Sequence, residues 1–80
     1  MIPPEKQTAR LAIEKRKKGK MVTVIRGLPE VGNDLPALLT RLKNACGAGG
    51  TIHEDSLEIQ GEHLQRIRNE LELLGYNVKN

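Results

Sequence analysis

Two stretches of this 80-residue chain repeat their apolar residues at helical spacing, and each has a single stripe to bury. In the first, Leu35, Leu38, Leu39, Leu42, Ala45 and Cys46 share one face; in the second, over Glu62–Leu74, the face is Leu64, Ile67, Leu71 and Leu74, with Leu73 pointing away. Asp34 is a good N-cap for the first helix, and Pro36 falls in its first turn, where a missing N–H costs nothing. Gly47 and Gly75 follow the two stripes as left-handed C-terminal caps. Helices of this kind, separated by extended segments, can bury their stripes only by packing together on one face of a sheet.

The sheet must come from what lies between. Met21-Val-Thr-Val-Ile25 is β-branched and nearly all apolar, the pattern of a strand well inside a sheet. Gly50–Glu54 and Leu57–Gln60 form a second hairpin around Asp55-Ser56, with Ile52, Leu57 and Ile59 as its apolar residues, and Tyr76–Lys79 reads as a last strand. Thr8–Glu14 is ambiguous. Its alternation puts Ala9, Leu11 and Ile13 on one side and Arg10, Ala12 and Glu14 on the other, as in a half-buried strand, while its composition favours a helix. If it is a strand, Lys15-Arg-Lys-Lys-Gly-Lys20 becomes a hairpin tip and the order is ββ-α-ββ-α-β, an α+β fold.

Composition narrows the function. Tyr76 is the only aromatic residue, which excludes single-strand recognition by stacking bases on a sheet of aromatic side chains. The lone Cys46 cannot form an internal disulfide, and with His53 and His63 it falls short of a four-ligand zinc site. Neither a metal nor a cofactor is expected. No apolar run is long enough for a bilayer, and the start is no signal peptide, so the chain reads as cytoplasmic with no membrane partner.

The net charge of +3 is unevenly spread: residues 1–20 hold seven cations and two anions, whereas residues 21–80 hold six cations and eight anions. A concentrated basic patch on a mildly acidic body attracts polyanions in a salt-dependent way. Contact of Lys15, Arg16, Lys17, Lys18 and Lys20 with RNA phosphates would give a slope of log affinity against log salt of about −3.5 to −4.5.

Other chemistry is poorly supported. Gly47-Ala-Gly-Gly50 closes a helix and opens a strand, the reverse of a phosphate loop. His53, Asp55 and Ser56 supply triad residue types, but as neighbours in one exposed turn they lack a buried orienting group and an oxyanion hole. The chain is not expected to be an enzyme.

Four segments, Lys18-Gly-Lys-Met-Val-Thr-Val-Ile-Arg-Gly-Leu28, Cys46-Gly-Ala-Gly-Gly-Thr-Ile52, Leu57-Glu-Ile-Gln-Gly-Glu-His63 and Leu74-Gly-Tyr-Asn-Val-Lys79, closely resemble the translation initiation factor one family, and the compact chain is more similar to its bacterial members than to the eukaryotic factor. The resemblance runs from about Thr8 to Lys79. It implies a two-layer α/β sandwich, a five-stranded mixed sheet with two helices on one face, in which Thr8–Glu14 is a strand. Residues 1–7 are then a flexible N-terminal segment before a single domain over 8–80.

The resemblance further implies a non-catalytic factor on the small ribosomal subunit, with rRNA as partner, initiator tRNA and mRNA near the P site as further partners, and a monomeric state. Carried onto this sequence, the rRNA-binding tip is Arg16, Lys17, Lys18 and Lys20, with Lys15 at its edge. The first helix adds Arg41 and Lys43, and the turn near tRNA corresponds to His53, Glu54, Asp55 and Ser56. The first helix is less basic than in eukaryotic members, and the second turn is shorter and acidic. The alternative is a protein-interaction module that uses the open sheet face or the exposed Leu73.

Overall fold

The computed structural model describes residues 2–80. Five strands and two helices follow in the expected order: β1 (Thr8–Lys15), β2 (Met21–Arg26), α1 (Leu35–Cys46), β3 (Gly50–His53), β4 (Ser56–Gln60), α2 (Leu64–Leu73) and β5 (Asn77–Lys79). The sheet order is β3-β4-β2-β1-β5. All neighbours are antiparallel except β5, which returns parallel to β1 and makes the sheet mixed. The ambiguous segment is therefore a strand. A helix there would have left β5 without a partner and β2 paired on one side only.

The two stripes and one sheet face close a single core. Leu42, Ile67 and Leu71 from the helices meet Leu11, Ile25, Leu57 and Ile59 from the strands, and all are essentially inaccessible to water. Cys46 packs at the edge of this cluster, where burial raises its thiol pKa. Both ends of α1 are closed as expected, since the Asp34 carboxylate accepts from the Ala37 N–H and Gly47 adopts a left-handed cap. Leu73 is exposed.

Several boundaries differ from expectation by a residue or two, and two of these differences have a specific cause. The second hairpin turns at Glu54-Asp55, one residue earlier than expected, and His53 pairs with Ser56. Glu54 takes the positive φ that this turn needs, and the Ser56 hydroxyl donates to the His53 carbonyl at 2.9 Å. Helix α2 begins at Leu64 rather than Glu62. Residues 61–63 are held by the sheet instead: the Gly61 N–H donates to Met21, and the His63 N–H donates to the Thr23 hydroxyl.

Ahead of β1, Pro4–Lys6 make one 3-10 turn. Met1, part of the segment expected to be flexible, lies outside the described residues. Gln7 is buried; its side-chain N–H donates to the Ile2 carbonyl, and its side-chain oxygen accepts from Asn33, whose own side-chain oxygen accepts from the Tyr76 hydroxyl at 2.7 Å.

The sheet has a second face, on which no helix of the described residues packs. The registers put Ala12, Val22, Val24 and Glu58 there, with Arg10 and Glu14 on β1 and Arg26 at the end of β2. Val24 is nonetheless fully buried and Val22 nearly so. Their cover is ionic: the Arg16 guanidinium donates to Glu14 at 2.8 Å and to Glu58 at 2.9 Å, while Arg26 donates to the second oxygen of Glu14 at 2.6 Å. The apolar stems of these side chains shield the valines while their heads stay hydrated.

Candidate nucleic-acid interface

The basic run forms the connection between β1 and β2. Lys15 pairs with Met21 at the last rung, and the Arg16 N–H donates to the Lys20 carbonyl, closing a loop over residues 16–20. Lys17–Gly19 form a single 3-10 turn in which Lys18 (φ 63) and Gly19 (φ 73) are both left-handed. Glycine accepts that conformation without cost, but a lysine does not.

The tip separates its cations into two groups. Lys15, Lys17, Lys18 and Lys20 are exposed, and none has an ion-pair partner among the described residues. Arg16 is different, because its guanidinium folds back over the sheet onto Glu14 and Glu58. The Arg26 and Arg16 guanidiniums together hold the Glu14 carboxyl at a pKa of about 2. The pairing in turn raises the pKa of both arginines. Sequence pattern alone counted Arg16 with the tip and missed Glu14, Arg26 and Glu58. Alternation put Glu14 on the side away from the apolar residues, but its partners emerge only from strand register.

The other sequence-derived residues lie elsewhere. Arg41 reaches α2, where its Nε donates to Glu70 at 3.2 Å, and Lys43 is half-buried two residues further along α1. Two residues on a helix differ by about 200° in direction, so the pair is not one patch. His53, Glu54 and Asp55 are exposed at the second hairpin turn, whereas Ser56 is tucked in. That turn lies beside Arg26 and Gly27, with which its four residues line a shallow recess of about 250 Å³. The basic tip is at the other end of β2, roughly 17 Å of strand away. A larger recess of about 440 Å³ at the base of the tip is lined by Arg16, Lys20, Met21, Val22, Gln60 and Gly61.

Geometry of this kind suits a polyanion: compact ammonium groups on a protruding loop, an adjoining recess, and no aromatic platform. Residues 5–77 match the family model described as "Translation initiation factor SUI1". The chain belongs to that family. Its relatives include a "Protein translation factor SUI1 homolog" of Methanoregula boonei, 38% identical, with the match covering 99% of this chain and 78% of the relative. Another, from Methanocaldococcus jannaschii, is 34% identical over 95% of this chain and 74% of its own length. An uncharacterised protein of Synechocystis sp. is 43% identical over 98% of this chain and 71% of its own.

SUI1 proteins are non-catalytic factors of translation initiation with ribosome-related partners, and a role in initiation comes with that membership. Among the described residues no helix is long and apolar enough to cross a membrane.

Proposed function

We propose that this chain is a cytoplasmic initiation factor that binds the small ribosomal subunit as a monomer, by setting the lysines of the β1–β2 tip against rRNA phosphates, and that it thereby influences start-site and initiator tRNA selection. The observation that carries this reading is the contrast within the tip. Among the described residues, four lysines have no acidic partner, on a chain that elsewhere matches most arginines with carboxylates. Lysine is a compact, hydrated charge suited to phosphate without base preference. Arg41 and Lys43 are secondary contacts, and the His53–Ser56 turn is the part nearest tRNA and mRNA in the bound state. Its acidity there acts by repelling phosphate rather than by holding it.

Because Arg16 is occupied by Glu14 and Glu58, four contacts rather than five define the expected salt dependence, a slope of about −2.8 to −3.6. The test is co-sedimentation with small subunits across a potassium chloride series, comparing the parent chain with a Lys17→Glu/Lys18→Glu/Lys20→Glu variant. The variant should fold normally and lose most of its binding. Retained binding at low salt would sink the tip as the contact. Release of the parent by initiator tRNA tests the second half of the reading; indifference to the tRNA would refute it.

A further inference from the structure

The registers align three cations across three adjacent strands on the open face. Arg10 of β1 stands directly opposite Arg26 of β2, and on its other side opposite Lys79 of β5. Cross-strand neighbours have Cβ atoms about 4.5–5.5 Å apart, and like charges in that position oppose folding. Within the strands, the carboxylates on this face are Glu14 and Glu58, and both are already claimed by Arg16 and Arg26. Arg10 and Lys79 are exposed and have no ion-pair partner among the described residues. Gly27 makes the alignment possible: at φ 92 the end of β2 passes so close to β1 that a Cβ there would lie 2.6 Å from the Thr8 carbonyl oxygen.

We infer that the Arg10-Lys79 row is a second phosphate-binding surface, which takes the backbone of an RNA strand laid across β1 and β5 at the end of the sheet away from the lysine tip, while Arg26 stays paired with Glu14. The two free cations stand one inter-strand spacing apart, about 5 Å, and the Arg10 guanidinium is a planar fork that fits phosphate oxygens. The residues around Arg10 and Lys79 are Thr8, Ala12 and Asn77, which offer no apolar pocket or aromatic anchor of the kind that centres a protein interface, and the acidic Glu54-Asp55 turn lies on the far side, beside Arg26. Charge complementarity therefore favours a phosphodiester strand over a peptide. The inference rests on the reading of this chain as an RNA-contacting factor, but not on the tip.

The probe is a fluorescein-labelled RNA stem-loop, titrated by anisotropy at several potassium chloride concentrations with the full chain. Three proteins are compared: the parent, an Arg10→Gln/Lys79→Gln variant and a Lys17→Gln/Lys18→Gln variant. Each lost phosphate contact should reduce the steepness of the salt slope by about 0.7–0.9, and so weaken binding roughly 5- to 8-fold at 0.1 M salt. The row variant should lose two such increments and melt no lower than the parent. An unchanged slope in that variant, with a reduced one in the tip variant, overturns the row and leaves the tip; the reverse pattern overturns the tip alone. Amide chemical shifts of the parent give a check that needs no substitution. Shifts at Arg10 and Lys79 on adding the stem-loop are expected, and shifts confined to residues 15–20 would overturn the row. A polyglutamate peptide that bound the row more tightly than the stem-loop would reassign the face to an acidic protein segment.

Discussion

Strand β2 is buried on both sides by different means. Toward the helices, Thr23 and Ile25 lie under aliphatic side chains of the main core; on the opposite side, Val22 and Val24 lie under arginines and glutamates that pair with one another. A chain of 80 residues with two helices has both of them on one face, and among the described residues no apolar layer covers the other. Long charged side chains solve this by covering with their stems and staying wet at their heads. The two covers differ in what disturbs them. An aliphatic layer responds to lost volume, an ionic layer to proton and salt concentration.

The largest effect should come from the aliphatic side. Ile59→Ala removes a fully buried side chain opposite Thr23 and should cost about 2–5 kcal/mol in urea unfolding. Thr23→Val keeps the shape but strips the hydroxyl that donates to the Gly61 carbonyl and accepts from the His63 N–H, so a loss of about 1–3 kcal/mol is expected. A smaller loss than Ile59→Ala in the same assay would show that packing outweighs polar anchoring on this face; a larger one would reverse that ranking.

A control outside both faces is Lys18→Gly. It relieves a left-handed lysine and should stabilise by about 0.5–1 kcal/mol while weakening subunit binding by one phosphate contact. Destabilisation would mean that the loop tolerates lysine at no cost.

The smallest effect is the one that identifies the ionic cover. The folded-state pKa of Glu14, about 2, lies below its ordinary value of 4.5, so its stabilisation is fully present above pH 4.5 and is lost as pH falls through 2. Thermal melts of the parent should therefore decline over that window more steeply than those of Glu14→Gln, and the difference should shrink in high salt. Parallel pH profiles for the two proteins would remove Glu14 from the account.

What the sequence made legible follows from how far each cause reaches along the chain. The helical stripes, their caps at Asp34 and Gly47, and the exposure of Lys17 and Lys18 all arise within a few residues. Thr8–Lys15 was ambiguous because local composition and alternation disagreed, and the deciding partner β5 lies some seventy residues later. The turn at Glu54-Asp55 carried no glycine or asparagine to mark its left-handed position. Arg16 looked like one more tip cation because Glu58, which claims it, is 42 residues away and becomes its neighbour only through the β2–β4 register. The Arg10-Lys79 row was hidden for the same reason.

Tyr76, bonded to Asn33 at the end of the molecule away from the lysine tip, is also the chain's sole aromatic chromophore. Its emission therefore reports on one place: the junction of the N-terminal segment, the loop after β2 and the start of β5. Unfolding should change that signal directly, whereas RNA held only by the lysine tip should leave it almost untouched. RNA laid across β5 sits closer to this chromophore, so an unlabelled optical titration gives a first indication of which end of the sheet a ligand occupies.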